Sequence, residues 1–296
     1  MKKIRYESDN GYKIEFSGQK PYILENIDGN GLTGEAGSVK IPGMDGKRTY
    51  GLTRSSRYIN ISCAVLSKGD KSTLMKQNIS ESRDYIAMCF DPRYFGTLYY
   101  YAYNGDKGKK IRCRPTGIPA FEYDFSNLLK FKLGFEGDGA MWEKADILYA
   151  ALGMTRNNYR FPRFMGTPSA FAFIYAEAVV YNSTLYDIFP VVTVYDSLLP
   201  VDISNINTGA FLKFKIPTGL NNRLVVDVRN ATAILEENIN GKWVFKQNVI
   251  HYLTLDSRLT DFIIAPGKNE FKISTVEGQP GNPVLVITAH EPLLGV

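Results

Sequence analysis

The stretch Gly29-Asn30-Gly31-Leu32-Thr33-Gly34 spells the G-x-G-x-x-G pattern letter for letter. In a dinucleotide site those glycines let the backbone approach a pyrophosphate seated on the N-terminus of the next helix. Here Glu35-Ala36-Gly37-Ser38-Val39-Lys40-Ile41-Pro42-Gly43 follows, with two glycines, a proline and no helical period. A flexible loop accounts for the glycines, and no cofactor is expected. Tyr99, Tyr100, Tyr101 and Tyr103 face Lys107, Lys109, Lys110, Arg112 and Arg114 across a turn. This imitates a platform that stacks bases on aromatics and holds phosphates with cations. Aromatic cross-strand pairs also stabilise a hairpin by about 0.2–1 kcal/mol each, which asks for no ligand. Specific nucleic-acid binding is therefore not expected.

Other chemistry finds little footing. The two histidines, His251 and His290, are too few for a histidine-based zinc site, and no nucleophile motif accompanies them. Carboxylates are plentiful, but nothing selects a pair for glycoside hydrolysis. No catalytic, cofactor-binding or metal-binding residue is assigned, and the chain is read as no enzyme. Trp243 is the single saccharide-contact candidate, although a tryptophan beside Val244 and Phe245 also reads as packing.

The elements that would position such residues fall into two halves. The chain has 296 residues, 44% hydrophobic and 22% charged, an ordinary globular mix with room for two domains. Its 19 Tyr and 17 Phe lean towards β structure. Residues 1–140 carry 22 basic and 16 acidic side chains, and residues 141–296 carry 13 and 14. A net +6 over the first half reads as solvated faces plus a protein interface rather than a dedicated nucleic-acid stripe. Cys63, Cys89 and Cys113 are odd in number, far apart and read as free thiols in a reducing compartment. The N-terminus lacks the apolar core of a signal peptide. The greasiest window, Phe171 to Val180, contains Glu177 and is too short to span a bilayer. A soluble product made in a cytoplasm, with no membrane partner, is expected.

In the first half, Lys13–Phe16, Pro21–Ile27, Arg57–Val65, Thr97–Tyr103, Lys109–Arg114 and Leu128–Phe135 read as strands. Ile59, Ile61, Cys63 and Val65 share one face. Asp70 caps one helix, in which Leu74, Met75, Ile79, Ile86 and Cys89 recur until Asp91-Pro92 ends it. The glycine-rich segment 29–51 reads as an extended arm or a pair of long loops. Residues 141–175 look irregular and are read as the linker and entry into the second domain. Beyond them, strands are expected at Pro190–Tyr195, Ala210–Ile216, Arg223–Arg229, Thr232–Glu237, Lys242–Lys246, Asp261–Ile264, Glu270–Val276 and Val284–Ala289. Short, evenly spaced strands of this kind argue for a β-sandwich.

Taken in order, several segments carry a resemblance. They are Asn26-Ile27-Asp28-Gly29, Ile41-Pro42-Gly43-Met44-Asp45-Gly46-Lys47, the helix ending at Asp91-Pro92 with Gly96-Thr97-Leu98-Tyr99 after it, Phe135 through Trp142, and Phe262 to Phe271 with its Pro-Gly-x-Asn turn. Over nearly its whole length the chain resembles the distal tail protein (Dit) family of long-tailed, non-contractile phages.

The resemblance implies a mainly β fold. A split-barrel-like, ring-forming N-terminal domain with one helix spans residues 1–142, and a galectin-like β-sandwich spans 143–296. It further implies a structural virion protein at the tail tip, assembled in the host cytoplasm, that joins the tail tube to the host-adsorption apparatus. The implied partners are further copies in a hexameric ring, the tail tube protein, the tail-associated lysin or central fibre protein, and receptor-binding proteins. Residues 141–180 leave no room for an inserted carbohydrate-binding module, so the plain structural version is expected. Leu32, Val39, Ile41 and Met44 on the glycine-rich arm are the candidate subunit-interface residues. A stand-alone carbohydrate-binding protein is the alternative, because a galectin-like sandwich is a lectin architecture. A flavin enzyme is a third, since split barrels elsewhere bind flavin.

Overall fold

Alternation of apolar and polar residues at period two becomes strand after strand in the computed structural model. It describes residues 2–29, 31, 33–42, 45–66, 72–125, 128–153, 177–275 and 283–295. The chain forms two compact units, residues 1–146 with 292–296, and residues 147–291. It is mainly β, with one α-helix among the described residues.

The first unit runs through β1 (Lys3–Ser8), β2 (Lys13–Phe16), β3 (Tyr22–Asp28), β4 (Gly34–Val39), β5 (Arg48–Arg54), β6 (Tyr58–Leu66), α1 (Ser72–Cys89), β7 (Gly96–Tyr101), β8 (Lys109–Pro115), β9 (Ala120–Phe125), β10 (Leu128–Gly137) and β11 (Trp142–Lys144). The main sheet has the order β2-β1-β7-β8-β10-β6-β3, with β9 beside β10 and β11 beside β8. A parallel bridge from Ser17 to Ile23 brings its two outermost strands together, so the sheet curls almost closed. Inward residues are those the pattern requires: Ile4 and Tyr6 on β1, Ile59, Ile61, Cys63 and Val65 on β6, and Leu129, Phe131, Leu133 and Phe135 on β10. Helix α1 brings Ile86, Cys89 and the following Phe90 onto this face. The Phe90 ring lies 5.1 Å from Tyr6 and 5.8 Å from Phe135. A fully buried phenylalanine of this kind is worth about 1.5–3 kcal/mol in transfer alone. Asp70, expected to cap the helix, lies outside the described residues.

The second unit contains β12 (Leu148–Gly153), β13 (Glu177–Asn182), β14 (Val191–Tyr195), β15 (Val201–Asn205), β16 (Phe211–Lys213), β17 (Asn222–Asp227), β18 (Thr232–Ile239), β19 (Lys242–Asn248), β20 (Gly267–Thr275) and β21 (Val284–Ala289). They form two antiparallel sheets, β12-β21-β14-β17-β18-β19 and β13-β20-β15-β16. One core draws on both: Val192, Val194, Leu224, Val226, Leu285 and Ile287 from the first, Val180, Ile203, Leu212, Phe271 and Ile273 from the second. Two sheets sharing one apolar core make a β-sandwich.

Three details depart from the sequence expectation. Asp261–Ile264 is not a strand: a single 3-10 turn at Leu259–Asp261 precedes it, and Ile264 makes one bridge to Ile188. The stretch read as irregular from residue 141 holds β11 and β12. Alanines in Leu148-Tyr149-Ala150-Ala151-Leu152 dilute the β signal there. Finally, the chain end returns to the first unit, where β22 (Pro292–Leu293) pairs with β11, Trp142 opposite Leu293. Arg57 holds that return. It is 2% exposed, donates from Nε to the Ala140 carbonyl at 3.1 Å and from Nη2 to the Leu294 carbonyl at 2.5 Å. Burial lowers its pKa, yet a guanidinium stays charged across the working range.

Candidate functional site

The glycine loop serves backbone crossing and strand entry. Gly29 takes a φ of 97°, and a Cβ added there would meet the Tyr58 carbonyl oxygen at 2.1 Å. The segment after Gly34 is strand β4, so a strand stands where the dinucleotide mechanism needs a helix. On the β7–β8 hairpin, Tyr100 turns inward against Trp142, while Tyr99 and Tyr101 face outward. Arg5 lies 4.5 Å over the Tyr99 ring and Lys3 lies 5.4 Å over Tyr101. Their cationic neighbours are matched by carboxylates: Lys107 with Asp146 at 2.6 Å, Arg112 with Asp9 at 2.7 Å, Arg114 with Glu136 at 2.8 Å. The Tyr99, Tyr100 and Tyr101 rings and the Lys107, Arg112 and Arg114 charges are thus engaged within the unit, while Tyr103 is exposed.

Trp243 sits on β19, the edge strand of the six-stranded sheet. The Arg223 guanidinium lies 4.5 Å over its ring, and Tyr195 packs edge-on at 5.7 Å. Arg223 is in turn held by Glu236, Nε to Oε2 at 2.5 Å. The ring therefore belongs to a cross-strand stack of its own sheet, with one face taken by a cation. His251 is exposed and tilts against Tyr252, 4.1 Å between ring centroids. No three or more His, Cys, Asp or Glu residues converge on a metal-sized site among the described residues.

The arm is a different kind of feature. Among the described residues, strands β4 and β5 pair only with each other, forming a two-stranded ribbon outside the main sheet. The Ser55 amide donates to the Thr33 carbonyl at 3.0 Å, closing the ribbon's base. Val39 is 49% exposed and Tyr50 62%, and nearly every described side chain of the ribbon is solvent-facing. Tyr50 lies across Gly37, where an added Cβ would meet the ring at 2.7 Å. A ribbon with no buried face has no core of its own, and an isolated hairpin is marginally stable at best. Of the four candidate interface residues, Val39 ends β4 and Ile41 follows it half-buried, whereas Leu32 and Met44 lie outside the described residues. Tyr50, Arg48 and Lys47 were not singled out from the sequence. The alternation Arg48-Thr49-Tyr50 was the available signal, masked by the surrounding glycines.

The fold has solved counterparts. The Dit protein of phage SPP1, solved as a paradigm of hub adsorption apparatus in phages infecting Gram-positive hosts, superposes with a TM-score of 0.61. The match covers 98% of this chain and 99% of that one, at 14% identity. A chain of the phage P2 baseplate in its activated conformation with calcium matches at a TM-score of 0.56 and 11% identity, over 100% of both chains. The corresponding strontium form matches at 0.51 and 12%, over 97% and 98%. The chain has the Dit fold. Neither a protein-family model nor a curated protein matches its sequence.

In this Dit-fold chain the three thiols all lie in the core of the first unit. Burial raises every one of them, Cys89 to about 11 and Cys63 and Cys113 further. A thiol held protonated is a poor nucleophile. The native protein should therefore react negligibly with a disulfide reagent at pH 8, and release three equivalents in denaturant. Fast labelling of any one thiol in the native state would contradict this packing.

Proposed function

We propose that the chain is a structural protein of a phage tail tip, a hub that joins the tail tube to the host-adsorption apparatus without catalysis. The end-to-end match to Dit and baseplate proteins carries this reading, because it includes both units rather than a shared sandwich alone. The first unit, with its curled sheet and free-standing ribbon, is the ring-forming part, taking residues 1–142 as its body. The second unit, residues 147–291, is the galectin-like sandwich. Six copies, the tube protein above and the lysin or central fibre protein below are the partners this reading assigns, with receptor-binding proteins attached outside.

A hub works through area. Stable contacts bury about 1,200–2,000 Å² per interface and rely on aromatic and apolar anchors. The ribbon supplies such side chains in Val39, Ile41 and Tyr50, of which Val39 and Tyr50 are exposed and Ile41 half-buried. Removing the gene from its phage should give filled heads without joined, functional tails, seen by electron microscopy and plaque counts. Labelled antibody should mark the tail tip of intact particles. Infectious particles assembled without the protein would overturn the reading.

A further inference from the structure

Rings are built from head-to-tail contacts, in which one patch of a copy meets a different patch of the next. A ring held through the ribbon therefore requires a receiving surface elsewhere on the same chain. Helix α1 carries one. Glu81, Asp84 and Met88 follow each other at i, i+3 and i+7, all exposed on the helix's outer side. Met88 is 53% exposed, its Sδ touched on one side by the Tyr12 hydroxyl at 3.4 Å, and Tyr94, just past the helix end, is 41% exposed with Arg93 over one ring face. Among the described residues Glu81 and Asp84 form no ion pair. Glu7, Glu15, Glu25, Glu122 and Glu136 of the same unit do, while Glu35 and Asp45 of the ribbon form none among the described residues.

The ribbon is the complement. Lys40, Lys47 and Arg48 are exposed and likewise form no ion pair among the described residues. Val39 lies directly opposite Arg48, and Tyr50, opposite Gly37, shares their face. The spacing agrees as well. Two residues of strand set Arg48 and Tyr50 about 6.6 Å apart, and four residues of helix set Asp84 and Met88 about 6 Å apart.

We propose that the ribbon of one copy lies along α1 of the next, Arg48 on Asp84 and Tyr50 on Met88. This rests on the hub reading and names the surface the ribbon uses. The apolar groups supply affinity, while the charges set register and orientation, since exposed ion pairs contribute little by themselves. A strand of another baseplate protein is the competing occupant.

Charge exchange in the full-length chain tests it. Arg48→Glu alone and Asp84→Arg alone should each weaken self-association by about tenfold or more, read by sedimentation with folding checked by circular dichroism. The double variant restores the pair across every contact and should recover association to within about threefold of wild type. Independently, Arg48→Cys with Asp84→Cys should give a ladder of disulfide-linked oligomers on oxidation, the native thiols being buried. If wild type assembles but the double variant stays as weak as the singles and no ladder forms, the docking is wrong and the hub reading stands. If wild type self-associates neither alone at high concentration nor in purified tails, the ring itself falls, and this contact with it. Ribbon protection in tails by a different protein, with no copy-to-copy crosslink, also overturns it.

Discussion

Cutting the ribbon off at its base should abolish ring formation and leave the first unit as stable as before. The design replaces residues 34–54 by Asn-Gly between Thr33 and Ser55. These two already face each other, hydroxyl to hydroxyl at 2.5 Å and Ser55 N to Thr33 O at 3.0 Å. Asn-Gly favours the two-residue turn that such a closely spaced pair needs. Little that is buried is removed: among the described residues β4 and β5 pair as strands only with each other, none of their described side chains belongs to the core, and Arg54 gives up one contact to Met141 Sδ. Changes that touch only exposed surface stay within about 0.5 kcal/mol. The thermal midpoint should move by no more than roughly 2 °C. Association, by contrast, loses Val39, Ile41, Tyr50 and four cations at once. Sedimentation should show monomer at concentrations where wild type assembles, and a complementation assay should return no plaques. Normal rings from the shortened chain would remove the arm from the assembly account. A loss of several kcal/mol in the first unit would mean that the ribbon is part of the fold.

Legibility followed burial on one face. Strand β6 was readable because Ile59, Ile61, Cys63 and Val65 all point into one core, so their spacing records the pleat. The β7–β8 hairpin was readable from Asn104-Gly105-Asp106, and Asp106 does close it, accepting from the amides of Ala102 and Gly108. The ribbon strands were not readable. With both faces in solvent nothing selects an alternating pattern, and Gly34, Gly37 and Gly51 speak for loop. Long-range return was equally hidden: two residues at Pro292–Leu293 carry no period, and Arg57, which holds the chain end, reads as one more surface cation. The interface candidates came from resemblance and from glycine content. The carboxylates of α1 gave no signal, because charged residues on an amphipathic helix are ordinary until their partners are seen to be missing.

The largest effect on stability should come from Asn269, in the second unit. It is fully buried, at 0% exposure, and so is Asn205. Its Oδ1 accepts from the Ala265 amide at 3.0 Å and from Asn205 Nδ2 at 3.1 Å. Its Nδ2 donates to the carbonyls of Ala265 at 2.7 Å and Gly267 at 3.2 Å. A side-chain amide has about four such capacities, and here all are used. Asn205 extends the network to the Ile263 carbonyl and, through its Oδ1, to the Asn207 amide. The network thus locks the Pro266-Gly267 turn that starts β20 to the end of β15, where Asn205 pairs with Phe271 across the sheet. Asn269→Ala strands the Ala265 amide and carbonyl and one Asn205 proton without water. At about 1–3 kcal/mol for each orphaned group, and some relaxation, the loss should be about 3–5 kcal/mol. That is a large share of the 5–15 kcal/mol a domain ordinarily has. Asn230→Ala is the control: its amide bonds Asp227 in solvent, so removing it should cost no more than about 0.5 kcal/mol. Asn269→Asp adds a pH signature. Burial raises the new carboxyl's folded-state pKa above its unfolded value near 4, so its stability is retained at low pH and lost as pH rises through that window. Denaturant unfolding of the full chain in a Trp142→Phe background, followed by Trp243 emission at pH 4 and pH 7, reads all three variants. A cost below about 1 kcal/mol for Asn269→Ala, or an Asp variant more stable at pH 7 than at pH 4, would show that the turn holds without its asparagine.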